Sequence, residues 1–313
     1  MNDPLKENTF YFIGVTASKS KIMEVFPLWV EALGLPKTRI KGYDIPVNGP
    51  VEEYRAIVRH IKEDENAFGA LVTTHKIDIL RSAGDLFDEL DVYARIFGEI
   101  SSISKRNGRL YGHAKDPITV GLALESFLPE NYWQAHPEAV VFIMGAGGSG
   151  IALSAYLMKK EHGGNVPSRI IISNRRGERL SHCRQVHDRI GKTTEVEYVQ
   201  VTASDTNDRI LGGLPPGSLI VNATGMGKDR PGSPISDEAL FPEKSFVWEF
   251  NYRGSLEFLH QAEAQRESRC LTVEDGWAYF IYGWNCVICE VFDIYISCED
   301  IARMGTIAEP LRK

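Results

Sequence analysis

Several features that would direct a protein to a membrane, a nucleic acid or a disulfide framework are missing from this chain. Its 313 residues include 35 Lys and Arg against 42 Asp and Glu, and the formal net charge is -7. This balance argues against nucleic acid or an anionic membrane as the main partner. No apolar run approaches the ~20 residues of a membrane span. The N-terminus, residues 1–6, lacks the basic and then apolar build of a signal peptide, so we expect a cytoplasmic protein.

Cysteine is also scarce. The five cysteines are odd in number, which fits a reducing compartment better than a disulfide framework. Cys286 and Cys289 form a C-x-x-C pair, but the pair lies in an apolar helical run and no second pair stands at metal-ligand spacing. We therefore expect these cysteines to be packed in the protein rather than to serve a redox or zinc role, and we predict no metal site.

The chain does contain a strand that runs directly into a glycine-rich turn. Five apolar residues, Val140–Met144, suit a parallel strand that is buried on both faces. Gly145, Gly147 and Gly150 follow on the G-x-G-x-x-G spacing. In that motif the first glycine permits a tight turn, the second lets the backbone approach a pyrophosphate, and the third lets the next helix pack on its strand. The other positions of this predicted cofactor turn are Ala146, Gly148 and Ser149.

The end of the next predicted strand distinguishes the two nicotinamide cofactors. NAD sites place an Asp or Glu there, ~20 residues past the glycines, to bind the ribose 2′-hydroxyl. This chain has Asn174, Arg175 and Arg176 instead. Two planar guanidinium groups suit a 2′-phosphate, whereas a carboxylate would repel it, so NADP is favoured over NAD. A second loop, after the fourth predicted strand, is expected to face the nicotinamide. Its residues are Asn222, Thr224, Gly225 and Met226.

The first third of the chain carries polar side chains at the predicted ends of strands and helices. The loop after the first predicted strand holds Ser18, Ser20 and two lysines. These groups suit a bound carboxylate or, alternatively, the serines cap the next helix. The third predicted strand delivers Thr73 and Lys76 to its carboxyl end, where open α/β sheets place their ligands. Asp116 precedes a proline at a predicted helix start, and its simplest role is that of an N-cap.

Strands that alternate with helices predict an α/β protein with parallel sheets. We expect an N-terminal α/β substrate domain at residues 1–116, completed by 275–313, and a doubly wound parallel Rossmann domain at residues 117–274. A long apolar helix is predicted at Trp277–Ile296, and we expect the C-terminal helices to return to the first domain. An acidic amphipathic helix is predicted at Leu86–Phe97.

In combination, these motifs resemble the shikimate/quinate dehydrogenase family. The resemblance covers nearly the whole chain, and the motifs follow the family's order and spacing. The residues that carry it are, in order, Ser18 and Ser20, the run Val72–Lys76, Asp116, Gly145–Gly148, Asn174 and Arg175, Asn222–Met226, Tyr252, and Asp275 with Gly276.

The resemblance implies a reaction and a set of residue roles. The reaction is NADP-dependent oxidation of a secondary alcohol on a small cyclic carboxylate, in aromatic amino acid biosynthesis, by a monomer or homodimer. Lys76 is then the acid/base, because the hydroxyl proton must leave as the hydride is lost, and Asp116 orients its ammonium. The residues implied to contact the substrate are Ser18 and Ser20 for the carboxylate, Thr73 for a ring hydroxyl, Ser101 and Tyr252.

Several family positions hold other residues in this chain. Ser101 and Ser102 replace an Asn-Thr pair, Gly283 stands at the spacing of a substrate-contacting Gln, and a proline before the lysine is missing. Loss of these hydrogen-bond partners is expected to redirect substrate specificity. Two alternatives stay open. One is another lysine-using NADP enzyme, such as a methylene-tetrahydrofolate dehydrogenase, and the other is a nucleotide-sensing protein without turnover.

Overall fold

The chain forms two compact units in the computed structural model, which describes residues 7–228 and 230–312. The first unit extends to Lys115 and also contains Ile281–Leu311, and the second contains Asp116–Phe280 with Arg312. Each unit is built on a sheet with helices, which confirms the predicted α/β fold class. The residues 1–6 that led us to expect no signal peptide lie outside the described residues.

Strands and helices alternate through the first unit. Its strands are β1 (Asn8–Gly14), β2 (Thr38–Asp44), β3 (Ala67–Val72), β4 (Glu89–Leu90), β5 (Ser102–Arg106) and β6 (Arg109–His113). Its first four helices are α1 (Ile22–Ala32), α2 (Val51–Glu63), α3 (Lys76–Ala83) and α4 (Val92–Phe97). The sheet has the order β2-β1-β3-β5-β6-β4. Because β1, β2 and β3 pair in parallel, their carboxyl ends share one edge of the sheet.

The helix α2 shows why these segments fold as they do. Its buried side chains recur at three- and four-residue spacing, which gives the helix one apolar face. That face packs in the core of the unit with Ile13 of β1 and Val72 of β3. The buried side chains of α2 are Tyr54, Ile57, Val58 and Ile61.

The predicted helix at Leu86–Phe97 is wrong in its first half. Only Val92–Phe97 is helical, because the Asp91 side chain caps the helix by accepting the Ala94 N–H at 2.6 Å. The preceding residues, Glu89–Leu90, pair instead with β6 as the short strand β4. A two-residue edge strand carries too little periodicity to be predicted from sequence.

The second unit is a doubly wound sheet. Its strands are β7 (Val141–Met144), β8 (Arg169–Asn174), β9 (Glu195–Gln200), β10 (Leu219–Asn222), β11 (Phe246–Glu249) and β12 (Thr272–Glu274). Its helices are α5 (Asp116–Glu125), α6 (Tyr132–Ala135), α7 (Gly148–Leu157), α8 (Gly177–Ile190), α9 (Thr206–Gly212), α10 (Glu257–Glu263) and α11 (Arg266–Arg269). All pairs are parallel in the order β12-β11-β10-β7-β8-β9, which is the Rossmann arrangement. The strand order reverses between β7 and β10, and ligands bind at such a switch point.

The C-terminal helices are α12 (Trp277–Phe292) and α13 (Cys298–Ala308), and from Ile281 onward they belong to the first unit. The Trp284 ring lies 5.0 Å from that of Phe12, and Glu290 accepts a hydrogen bond from Arg106 at 2.9 Å. This confirms the predicted return to the first domain. The helix ends before the predicted Ile296, because Asp293 has a φ of +53°. No helix within residues 7–228 and 230–312 is long and apolar enough to cross a bilayer.

A buried polar cluster ties two helices of the second unit to its sheet. His187 of α8 is fully buried, and its Nε2 lies 2.8 Å from the Ser154 hydroxyl oxygen of α7. Its Nδ1 lies 2.8 Å from the hydroxyl oxygen of Tyr198 on β9. Burial, with a smaller effect of the Lys192 ammonium, lowers the pKa of His187 to about 4. The imidazole is therefore neutral in the folded protein at neutral pH.

We expect His187 to make the protein sensitive to mild acid. Between the ordinary histidine pKa of 6.5 and the folded value of about 4, only the unfolded chain takes up this proton, so stability is lost as the pH falls. The loss is about 2 kcal/mol on going from about pH 7.5 to about pH 5. Urea unfolding at the two pH values measures it. His187→Gln should flatten the dependence by this amount, whereas His136→Gln, which replaces an exposed histidine, should not. An unchanged pH slope in His187→Gln would contradict the assignment.

Candidate active site

The glycine-rich segment joins β7 to α7 through a tight turn. Gly145 has a φ of +116°, and a Cβ on it would lie 2.5 Å from the carbonyl oxygen of Ala223. A Cβ on Gly150 would lie 2.1 Å from the carbonyl oxygen of Gly145, so only glycine lets the helix approach the turn this closely. A Cβ on Gly147, by contrast, would have no atom of the described residues within 4 Å. The turn therefore leaves the N–H groups at the start of α7 open to an anion.

Two arginines stand at the end of β8 beside this turn. The Gly145 N–H of the turn donates to the Ser173 carbonyl oxygen at 2.8 Å. The side-chain oxygen of Asn174 accepts the N–H of Arg176 at 2.9 Å. Arg175 and Arg176 are both exposed. Glu178 stands 3.9 Å from Arg176 in a surface ion pair, which contributes little energy. Two guanidinium groups are thus available where a Rossmann fold binds the adenosine ribose.

A buried acidic side chain holds the loop after β10. Glu249, the last residue of β11, is fully buried and accepts hydrogen bonds from the Asn222 amide at 2.6 Å and the Asn251 amide at 2.6 Å. Asn251 also donates to the Met226 carbonyl oxygen at 3.0 Å, and Asn222 accepts from the Thr224 hydroxyl at 2.6 Å. Burial raises the pKa of Glu249 to about 7, although these hydrogen bonds act in the opposite direction. The network sets the shape of the loop that the sequence predicted to face a nicotinamide.

Tyr252 lies in an aromatic cluster of the second unit. Its ring centroid is 4.6 Å from that of Phe280 and 5.7 Å from that of Trp277, and burial raises the pKa of its phenol. The Asp275 carboxylate accepts the N–H of Trp277 at 2.9 Å, which places the Asp-Gly motif at the start of α12. Among the described residues, no three His, Cys, Asp or Glu side chains converge as metal ligands.

In the first unit, the loop after β1 forms a short 3-10 turn that carries both predicted serines. Neither serine caps α1, whose N-cap is Lys21 without a side-chain hydrogen bond. Ser18 is exposed, and its backbone N–H, at 2.8 Å, and its hydroxyl both donate to the carboxylate of Asp44. Ser20 is half-buried at the end of the turn. Ser18 was expected to bind the carboxylate of a substrate. In the structure its two donors bond to the carboxylate of Asp44 instead.

Thr73 and Lys76 follow β3 on the same edge of the sheet. The Thr73 N–H donates to the Ile13 carbonyl oxygen at 3.0 Å, so the pairing with β1 continues past the end of β3. His75, between them, is buried, and its Nε2 lies 2.8 Å from the carbonyl oxygen of Ile45. This contact anchors the loop to the segment after β2. Lys76 is half-buried and begins α3.

The Ser101 hydroxyl forms a hydrogen bond with the protein's own backbone. Ser101 is only 3% exposed, and its hydroxyl accepts the N–H of Lys115 at 2.7 Å. This bond holds the end of the first unit's sheet at the point where the chain continues into Asp116. Asp116 is buried, begins α5 and belongs to the second unit, as does Tyr252. Ser18, Thr73 and Lys76 belong to the first unit.

Two residues of this arrangement were missed in the sequence. Asp44 ends β2 on the edge that carries Ser18 and Thr73, and the rule that selected Thr73 at a strand end would also have selected it. Glu249 had no comparable signal, because a single acidic residue in an apolar segment does not show whether it is buried or at the surface.

The sequence is similar to curated shikimate dehydrogenases, although no protein-family model matches it. It is 27% identical over 181 residues to the NADP(+) shikimate dehydrogenase of Lactococcus lactis, a match that covers 57% of this chain and 59% of that protein. It is 24% identical over 230 residues to the enzyme of the same name from Streptococcus thermophilus, covering 72% and 73%. The chain thus spans less than two thirds of the Lactococcus relative.

The fold is shared with several solved structures. Shikimate 5-dehydrogenase from Thermus thermophilus has a TM-score of 0.70 at 20% identity, covering 96% of this chain and 99% of that one. Quinate dehydrogenase from Corynebacterium glutamicum has a TM-score of 0.74 at 19% identity, covering 97% and 99%. The 5-ketofructose reductase of a Gluconobacter strain has a TM-score of 0.70 at 17% identity, covering 98% and 99%.

The strand order of the second sheet and its glycine turn define an α/β protein with a unit of the Rossmann type. The sequence matches and the shared fold make the chain similar to shikimate dehydrogenases and to quinate dehydrogenase.

We expect Gly150→Ala to impair both folding and dinucleotide binding. The added methyl group would lie 2.1 Å from the Gly145 carbonyl oxygen, so α7 or the turn must shift. NADPH titration by tryptophan fluorescence should show about a tenfold loss of affinity or more, with a lower melting temperature. Gly212→Ala is the matched control, since a Cβ there meets no atom of the described residues within 4 Å. Equal NADPH affinity in both variants would show that the turn does not hold the cofactor.

Proposed function

We propose that the protein is an NADP-dependent oxidoreductase that interconverts a secondary alcohol and a ketone on a small, polyhydroxylated, shikimate-like substrate. The observation that carries the proposal is the position of Lys76. It begins α3 after a three-residue link from β3, on the sheet edge that also carries the Ser18 loop. Open α/β sheets bind their ligands at this edge, and a lysine there is placed to exchange a proton with a bound hydroxyl.

The proposed chemistry divides between the cofactor and the chain. NADP, when bound, supplies hydride transfer to or from the alcohol carbon. Lys76 removes the hydroxyl proton as the alcohol is oxidised and returns it when the ketone is reduced. Asp116 is proposed to orient the lysine ammonium, as the family resemblance implies. Thr73, half-buried at the end of β3, is proposed to hold a neighbouring hydroxyl of the substrate.

The described residues of the second unit fit a dinucleotide. The open space at Gly147 and the start of α7 suit the pyrophosphate, and the loop Asn222–Met226 is proposed to lie on the nicotinamide side. The exposed Arg175 and Arg176 are proposed to bind the 2′-phosphate, which favours NADP. The curated relatives are named NADP(+) enzymes, while the quinate dehydrogenase structure was solved with NAD.

The substrate is proposed at the level of its class. Proteins with this fold are named for shikimate, quinate and 5-ketofructose, so the fold accepts more than one polyhydroxylated ring. In this chain the Ser101 hydroxyl is used by the backbone and Gly283 replaces a glutamine of the family pattern. Fewer side chains therefore remain to recognise shikimate itself, and a related polyol or ketose is an equal member of the proposed class.

Loss of the two arginines should reverse the preference between cofactors. We expect Arg175→Ala/Arg176→Ala to weaken NADPH binding by about 10- to 100-fold, because charge-assisted hydrogen bonds contribute ~1.5–3 kcal/mol. NADH binding should change by less than about threefold, since NADH lacks the phosphate. Fluorescence titration with both cofactors measures the two affinities. Arg266→Ala, an exposed arginine paired with Glu263, is the control. An equal loss for NADH and NADPH would refute the phosphate contact.

Removal of the lysine should abolish turnover without loss of cofactor. We expect Lys76→Ala to lower kcat by about 10²- to 10⁴-fold, the usual contribution of a general acid or base. Absorbance at 340 nm with NADP and a panel of shikimate, quinate, cyclic polyols and ketoses measures the rate. Lys37→Ala removes an exposed lysine just before the amino end of β2 and should leave the rate unchanged.

Two other results would replace the proposal. NADPH binding without turnover on any member of the panel would favour a nucleotide-sensing protein. Turnover with a folate substrate would favour a methylene-tetrahydrofolate dehydrogenase.

A further inference from the structure

A cavity of about 370 Å³ lies in the second unit, at the ends of α5 and α7 and beside α6. Leu124, Leu128 and Leu157 supply part of its apolar lining. Helix α7 has ten residues, so the cavity and the glycine turn are at opposite ends of a helix about 15 Å long. Pockets that bind small molecules begin at roughly 300 Å³. The cavity is therefore large enough for a ligand and separate from the turn that is proposed to hold the cofactor.

The walls of the cavity are held together by contacts between distant segments. A Cβ on Gly121 of α5 would lie 2.2 Å from the Tyr156 ring of α7, so glycine at this position lets the two helices approach closely. The Tyr156 hydroxyl donates to the Glu125 carboxylate at the end of α5. The Asn165 side-chain oxygen accepts the N–H of Trp133 at 3.1 Å, which ties the segment after α7 to α6. These contacts make the cavity a preformed one, as most small-molecule sites are.

The polar groups in the lining are mainly hydrogen-bond acceptors. Glu125 and Glu130 are exposed, and carboxylates accept hydrogen bonds without donating them. The Nε2 atom of His162 lies 3.0 Å from the Tyr156 carbonyl oxygen, so Nε2 carries the hydrogen and Nδ1 of the neutral ring is an acceptor. Asn165 adds amide N–H donors, because its oxygen is already bonded to the backbone. The lining thus offers two negative charges and a third acceptor to a ligand.

Aromatic rings in the lining add a second attraction for a positive charge. The rings of Tyr132 and Trp133 have centroids 5.3 Å apart, and the Tyr132 hydroxyl donates to the Gly217 carbonyl oxygen at 2.5 Å. The faces of tyrosine and tryptophan rings attract cations. The Lys159 ammonium, 4.9 Å from the centroid of the Tyr156 ring, is such a contact in this part of the protein. Lys159 does not line the cavity, and its single charge does not balance the two carboxylates.

We propose that this cavity is a binding site for a small organic cation, an ammonium group carried on an apolar body. The ammonium donates to the Glu125 and Glu130 carboxylates and to His162, and the body contacts the leucines and the aromatic rings. A neutral ligand of the same shape would lose the charge-assisted hydrogen bonds, and an anion would meet like charge. The proposal does not depend on the oxidoreductase function, and no part of it involves the dinucleotide.

The test uses three probes that share a shape and differ in charge, with the full chain. They are phenethylamine as the cation, phenethyl alcohol as the neutral ligand and hydrocinnamate as the anion. Binding is measured by isothermal titration calorimetry at neutral pH, with and without saturating NADP. We expect the amine to bind the wild-type protein about tenfold more tightly than the alcohol, because of its charge-assisted hydrogen bonds. Hydrocinnamate should bind more weakly than the alcohol.

Removal of the two carboxylates should act on the amine alone. We expect Glu125→Gln/Glu130→Gln to lower the affinity for the amine about tenfold and to change the affinity for the alcohol by less than about twofold. Glu161→Gln is the matched control, since it removes an exposed carboxylate next to His162 in sequence that does not line the cavity. It should change neither affinity.

A larger side chain in the cavity should exclude every probe. We expect Leu128→Trp to weaken binding of the amine and of the alcohol by about tenfold or more, because the ring takes up the space of the ligand. Leu240→Trp adds the same ring at an exposed leucine outside the lining and should leave both affinities unchanged. Circular dichroism and melting temperature establish that the variants are folded. The glutamine variants still offer Tyr156 an acceptor, so they decide the question even if Leu128→Trp unfolds the protein.

Three results would overturn the proposal. The first is wild-type binding of the amine no tighter than that of the alcohol. The second is an equal loss of amine affinity in Glu161→Gln and in the double variant. The third is displacement of the amine by NADP, which would place the amine in the dinucleotide site. Amine binding that persists with NADP and falls in the double variant and in Leu128→Trp alone supports the proposal.

Discussion

The parallel pairing of β1 with β2 and β3 is the constraint on which the first unit's polar edge depends. Parallel strands must end on the same side of the sheet, so residues far apart in sequence become neighbours there. Ser18, Asp44 and Thr73 lie along one edge of the sheet in this way, each at or beyond the end of its strand, and Ser18 contacts Asp44. A shift of the register by one residue would turn Asp44 to the other face of the sheet and break the contact with Ser18.

In the second unit, parallel pairing likewise brings two distant loops together. β7 and β10 are adjacent and parallel, and the loops that follow them touch where a Cβ on Gly145 would meet Ala223. The glycine turn and the Asn222 loop are therefore one structure, although 77 residues separate Gly145 from Asn222 in the chain. Glu249 stabilises this structure at the cost of burying an acidic group, and the three hydrogen bonds that its carboxylate accepts offset that cost.

The departures from the family pattern fall unevenly over the protein. The glycine turn, the Asn-Arg pair after β8 and the lysine after β3 are present, and under the proposed function any substrate would need them. The changed positions, among them Ser101 and Gly283, are those that would distinguish one ring substituent from another. Under the proposed function, substrate choice is therefore the part on which we expect this chain to differ.

Local signals in the sequence were sufficient to predict most strands and helices and the glycine turn. Five apolar residues followed by spaced glycines predict a strand, a turn and a helix, because each step depends on neighbouring residues alone. The polar edge of the first sheet was predicted only as separate strand ends, since periodicity does not show which strands pair. Tertiary structure decided that Ser18 donates to Asp44 and that the Ser101 hydroxyl accepts the Lys115 N–H. It also decided that Glu249 is buried. These outcomes depend on contacts between distant segments, which hydrogen-bond register and packing create only when the whole unit has folded.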